Sequence, residues 1–256
     1  MELNPQSIVG YTPKTVDFMV PDERQEDDHM TTSTWVAFRD NVEAIGLRGM
    51  FGCTAVVSVS QRGAWPKKGY REGNWEHQYH EYGWSELGFH PELGDPGVMF
   101  GNKEDKYYEA ELRVFIVTPR PRGARQDENG AWLPDEVVHD INRNAGQLLF
   151  PDKIRRLSDE IKQVYGQDTS IEVIDYAPKL LKMEDFWSLM DNKLTKPQIF
   201  DLQADSGFED ARGKLLLQYR PAKTCTDLAS WRLWVEDQGI SGRLSCSHIA
   251  AYTRRP

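Results

Sequence analysis

Cysteine is scarce in this chain: three in 256 residues, Cys53, Cys225 and Cys246, odd in number and widely spaced. Such a set argues against a disulfide framework and carries no zinc-type spacing, so no metal is expected and a reducing cytoplasm is the expected compartment. Long hydrophobic runs are missing as well. No stretch approaches the roughly eighteen apolar residues that a spanning helix needs, so no membrane partner is expected. Met1 to Gly10 has neither a basic n-region nor an apolar h-region, and no secretory signal is expected. There is no internal repeat and no low-complexity segment. Basic residues are outnumbered, 31 against 40, and the resulting net charge of −9 argues against broad nucleic-acid binding, which needs phosphates neutralised by Lys and Arg.

What is present is ordinary globular material, 39% hydrophobic and 28% charged, in a chain long enough for a real core. Eight tryptophans and 11% aromatics leave enough for an aromatic-lined pocket besides that core. Charge is uneven along the chain. A mostly acidic run covers Asp22 to Asp28, whereas Arg120, Arg122 and Arg125 cluster after one strand and Lys153, Arg155 and Arg156 open a helix. These basic clusters are solvated surface or a local docking site for RNA or another anion.

The first thirty residues are polar and proline-punctuated, which suggests an extended arm, with a single α+β domain over residues 31–256. Hydroxyls at Thr31 to Thr34 precede Trp35, Val36, Phe38, Val42 and Ile45, whose spacing predicts a helix that Gly46 ends. Ala55 to Ser60 is valine-rich and predicts a buried strand. Gln61-Arg62-Gly63 then turns into a second strand at Ala64-Trp65, making a hairpin. Pro66 to Lys106 has little periodicity and reads as a long functional loop. Glu111 to Thr118 alternates as a strand and stops at Pro119 and Pro121. Helical spacing runs over Val137 to Leu149 and Ile154 to Tyr165, followed by a strand at Thr169 to Tyr176 and a short helix at Met183 to Met190. Lys214 to Tyr219 and Ser230 to Val235 close the series as strands. The expected fold is α+β, a layered, mixed or antiparallel β-sandwich-like core with flanking helices.

Chemistry concentrates at Cys53. Gly52 before it removes a blocking side chain and permits unusual dihedrals, and Thr54 after it offers a hydroxyl. Backbone N–H groups of that turn are candidates for holding an oxyanion. A nucleophilic thiol also needs a nearby cation or helix N-terminus, and the competing reading is an inert buried cysteine.

Trp35-Val36-Ala37-Phe38-Arg39-Asp40-Asn41, then Gly46 through Thr54 and Gly63-Ala64-Trp65, resemble a widespread group of uncharacterised fungal proteins. Gly213 through Pro221 and Arg232-Leu233-Trp234-Val235-Glu236 resemble it too. The Gly-Cys-Thr element on a strand before a hairpin further resembles the glutamine deamidases of the cytotoxic-necrotizing-factor and chemotaxis-receptor type. That resemblance implies a layered β-sandwich with flanking helices, a covalent thioester on Cys53, and a histidine on the neighbouring strand. In the fungal group a histidine soon follows Gly-Ala-Trp and precedes an aromatic-Trp-Glu. Here Trp75-Glu76 supplies the Trp-Glu, Gly73 stands at the histidine's place, and His77 and His80 lie just beyond. Either takes the base role, or the histidine is gone.

His77 and His80 also stand at i and i+3, yet no third strong ligand makes a zinc pattern and no cofactor is expected. Glu76, Glu81, Asp105, Glu109 and Glu111 form either an acidic pocket suited to a guanidinium or a charged surface, and Trp75 joins Glu76 and Glu81 as the candidate substrate-binding residues. Losing a general acid costs about 10²–10⁴ in rate for an unactivated amide but less for an aminoacyl ester. The expected function is therefore amide-bond formation from aminoacyl-tRNA, which is similar to the arginine-containing cyclodipeptide synthases of fungal secondary metabolism. The alternatives are a glutamine deamidase or amidase with a Cys-His pair acting on an amide substrate, and an inactive module binding a partner through Pro66 to Phe100.

Overall fold

The structure is a computed structural model that describes residues 14–16, 32–33, 36–38, 41–47, 50, 52–60, 63–69, 112–121, 123–124, 126–138, 140, 142–178, 212–224 and 227–245. Within them the chain is mixed α+β, with two sheets and two helices. The first sheet has the order β1-β4-β9-β10-β11, built from Lys14–Val16, Glu43–Leu47, Leu215–Arg220, Leu228–Val235 and Gln238–Ser245. The second has the order β2-β6-β5-β7-β8, with β3 also on β6. Its strands are Thr32–Ser33 (β2), Val36–Ala37 (β3), Thr54–Val59 (β5), Gly63–Gly69 (β6), Arg113–Pro119 (β7) and Ser170–Tyr176 (β8). Pairing is antiparallel except for β1 with β4 and β7 with β8. Helices α1 (Asp135–Val138) and α2 (Pro151–Tyr165) lie between β7 and β8 in the chain, so α2 belongs to the crossover that a parallel pair requires.

Strand β5 has a neighbour on each side and is buried along its whole length, which is why its sequence is a continuous small and β-branched run. Its two faces serve different partners. Ala55, Val57 and Val59 join a buried cluster that draws on both sheets, including Phe115, Tyr176, Leu217, Trp231 and Leu233. Phe38, one residue past β3, stacks on Tyr219 at 4.1 Å, and Phe115 of β7 meets Trp231 of β10 edge-on at 5.6 Å, so aromatic pairs lie between the two sheets. Val56, with Val114 and Ile116, faces Ile154, Leu157, Ile161 and Tyr165 of α2. Those four residues recur every three or four positions, the spacing of one helical face, and burying each such side chain stabilises by about 1.5–3 kcal/mol. Pro151 sits in the first turn, where its missing N–H costs nothing. Gly166, at φ 110°, ends the helix with its N–H on the Lys162 carbonyl.

Two expected helices are corrected. The described residues of Thr31 to Ile45 lie in or beside β2, β3 and β4 instead, with Val36 and Phe38 buried at alternating positions. Gly46 lies inside β4, not at a helix end; a Cβ there would meet the Leu215 carbonyl at 3.1 Å. Among its described residues, Val137 to Leu149 holds the end of α1 and a series of turns, with Asn144 at φ 58°. The expected polar arm contributes β1. The hairpin strand read at Ala64-Trp65 runs on to Gly69, and β11 extends the meander begun by β9 and β10. The helix expected at Met183 to Met190 lies outside the described residues.

Candidate functional site

Cys53 is a free thiol, 5% exposed, at the entry to β5. The turn that delivers it is fixed from three directions. Upstream, the Met50 N–H donates to the Gly213 carbonyl at 3.0 Å. Gly213 has φ +66°, and a Cβ there would sit 2.7 Å from the Met50 carbonyl oxygen, so only glycine allows this approach. Gly52 adopts φ 117°, again a glycine conformation. Tyr176 then bridges the two residues of interest: its hydroxyl accepts from the Gly52 N–H at 3.0 Å and donates to the Cys53 carbonyl at 2.8 Å. Downstream, the Thr54 hydroxyl pairs with that of Thr118 on β7 at 3.0 Å, both fully buried.

Tyr176 is itself held at its backbone. Its carbonyl accepts from the Arg120 N–H at 2.9 Å, and the N–H of the next residue, Ala177, donates to the Glu236 carboxylate at 3.0 Å. Glu236 sits in the tight turn between β10 and β11 at φ 54°, a left-handed conformation unusual for a non-glycine residue. Its side chain therefore ties the first sheet to the end of β8. One residue before Tyr176, Asp175 pairs with the Arg120 guanidinium and accepts from the Gly146 N–H at 3.0 Å. Burial raises the Asp175 pKa, but the Arg120 hydrogen bond, the Gly146 N–H and the Arg120 charge outweigh it, and the carboxyl lies below its ordinary value.

Gly52, Cys53 and Thr54 are thus brought together, in specific states. The Gly52 N–H, which an oxyanion would need, points to the Tyr176 hydroxyl, and the Thr54 hydroxyl is engaged by Thr118. Among the described residues, the strand beside Cys53 carries no histidine: β6 reads Gly63-Ala64-Trp65-Pro66-Lys67-Lys68-Gly69, with Gly69 opposite Thr54 and Lys68 opposite Ala55. All six histidines, including His77 and His80, lie outside the described residues, as do Trp75, Glu76 and Glu81. Among the described residues no group of His, Cys, Asp and Glu has the makings of a metal site. Of the basic residues considered for RNA docking, Arg120 is buried against Asp175, Arg155 pairs with Asp152, and Arg156 pairs with Glu160. The Lys153 ammonium lies 5.3 Å over the Phe150 ring. Arg122 and Arg125 lie outside the described residues.

Sequence reasoning missed Tyr176, Glu236 and Gly213. A buried tyrosine needs a partner for its hydroxyl, which is the signal for Tyr176, whereas Gly213 and Glu236 stand in segments that resemble the fungal group without a role being assigned to them. The partner of Tyr176 lies more than 120 residues away. Searches against protein-family models, curated proteins and solved structures return no significant match to this chain.

Proposed function

We propose that this protein is a thiol-dependent acyl-transfer enzyme in which Cys53 carries the acyl group as a thioester. The observation that carries the reading is the preorganised main chain at Cys53: a free thiol at a strand entry, after a positive-φ glycine, clamped on both sides by one phenol. Enzymes hold nucleophiles on rigid elements because small displacements cost large factors in rate. The clusters that join the two sheets, and α2 to the second sheet, fit a layered sandwich with a flanking helix, as the resemblance implies.

In the favoured version the Cys53 thiolate attacks the carbonyl of an aminoacyl ester. The C–S bond forms, the ester C–O bond breaks, and the ribose hydroxyl leaves with a proton. The amine of a second aminoacyl group then attacks the thioester, forms the first amide and returns the thiol. The first residue's amine attacks the second residue's ester carbonyl, and the ring closes as the second ribose hydroxyl leaves with a proton. Hydrolysis of the same thioester would give the deamidase outcome. In this reading His77 or His80 handles the protons, or the better leaving group of the ester makes a histidine dispensable. Trp75, Glu76 and Glu81 receive a cationic side chain, while the Tyr176 hydroxyl keeps the main chain at Gly52 and Cys53 in place.

The 5% exposure of Cys53 favours a second reading, an inactive relative that binds a partner through residues 66–100. Incubating the protein with charged tRNAs, then measuring intact mass and searching for cyclic dipeptides, separates the two. An aminoacyl adduct lost in Cys53→Ala supports the enzyme; unmodified protein and no product support the binding module.

A further inference from the structure

Strands β9, β10 and β11 turn one face to the core through Leu215, Leu217, Tyr219, Trp231, Leu233 and Leu244, so alternate residues form the opposite face. Register places that opposite face in rows. Arg220, Ser230 and Arg243 align across the three strands, and Gln218, Arg232 and Ser241 make the adjacent row. These two rows hold three arginines and no carboxylate, in a chain whose net charge is −9. Arg220 and Arg243 are exposed, and neither has an ion-pair partner among the described residues.

The row is also rich in donors and short of acceptors. A guanidinium has five N–H donors and no acceptor. The Ser230 hydroxyl oxygen is buried without a hydrogen-bond partner. In the next row the Gln218 amide oxygen already accepts from the Trp234 indole N–H at 2.9 Å, and the Arg232 guanidinium lies 5.1 Å over the Trp234 ring. Neighbouring strands are about 4.8 Å apart, so the Cα atoms of Arg220 and Arg243 are about 10 Å apart with Ser230 midway, within joint reach of two arginine side chains. Two like charges flanking one unpartnered hydroxyl, with no carboxylate between them, lack one component: a compact anion.

We infer that this face binds a phosphate group, held between Arg220 and Arg243 over the Ser230 hydroxyl. A tetrahedral dianion matches two planar forks in charge and geometry, as lysine would not. The site is independent of Cys53 and of any reaction there.

The test is calorimetric titration of the full chain with inorganic phosphate. The wild type should bind saturably. Arg220→Lys and Arg243→Lys, which keep the charge and lose the fork, should each weaken binding about tenfold, and Ser230→Ala should weaken it by several-fold. Arg155→Lys, on α2, should leave binding unchanged. Thermal melts of all variants should coincide with wild type. A second arm uses a single-stranded oligonucleotide without terminal phosphates. If it binds with a salt slope that falls by about 0.7 for each arginine replaced by alanine, the phosphate belongs to a nucleic-acid chain. If it does not bind while inorganic phosphate does, the ligand is a small phosphate ester. Absence of saturable phosphate binding, or Lys variants that bind as wild type, overturns the inference.

Discussion

A single phenol joins the Gly52 N–H to the Cys53 carbonyl, and its removal is the most local test of how the thiol is held. Tyr176→Phe leaves a buried donor and a buried acceptor without this partner, which costs about 1–3 kcal/mol in a chemical denaturation experiment. The same substitution should slow acylation of Cys53 by more than the lost stability explains, because the folded variants no longer fix the main chain. Asp175, one residue earlier, gives a pH signature. Its folded pKa is depressed, so the stabilisation is fully present above the unfolded value near 3.9 and is lost as pH falls through the lower folded value. Asp175→Asn should therefore be less stable than wild type at neutral pH, and the two should converge below about pH 4. A difference that stays constant down to pH 2 would contradict this assignment.

Elements fix the turn before Cys53 as firmly as side chains do. Gly213→Ala would force a Cβ to within 2.7 Å of the Met50 carbonyl oxygen at a φ that alanine disfavours, so the turn or β9 must move. The expected cost is about 2–4 kcal/mol, combining left-handed strain with overpacking, read as a drop in Tm. Which elements the sequence reveals follows from how local their signal is. The strands at β5, β7, β8, β9 and β10 and helix α2 bury apolar residues at a period that one segment displays by itself. Strand β11 does not, because two of its eight residues are glycines whose neighbours lie on the other arm of the hairpin. Gly242 lies against the Trp231 ring on one face and Gly239 against Trp234 on the other, and a Cβ at Gly242 would come within 2.5 Å of that ring. The segment before β5 misleads for a related reason. Val36, Phe38, Val42 and Ile45 fall at helical spacing, but only Val36 and Phe38 alternate and Val42 is exposed; pairing of β3 with β6 and of β4 with β9 decides the outcome.

At the scale of the whole molecule, both sheets contribute to holding Cys53. Strand β8 brings Tyr176 from the second sheet, and the β10–β11 turn reaches across from the first so that Glu236 fixes the next residue. Cys53, Gly52 and Thr54 were legible in the sequence because they are contiguous; the clamp was not, because its parts come from strands far apart in the chain. The basic surface shows the same limit. Charge clusters along the sequence pointed to Arg120, Arg155 and Arg156, which the fold engages with carboxylates. Arg220, Arg232 and Arg243 are dispersed in sequence and brought together only by strand register. The phosphate titration above tests that face, and the thiol has its own decisive measurement. Intact mass of the purified chain after incubation with charged tRNAs should show an aminoacyl adduct that hydroxylamine removes and that Cys53→Ala lacks. Wild-type protein that stays unmodified, or an adduct that persists in Cys53→Ala, would contradict acyl transfer through Cys53.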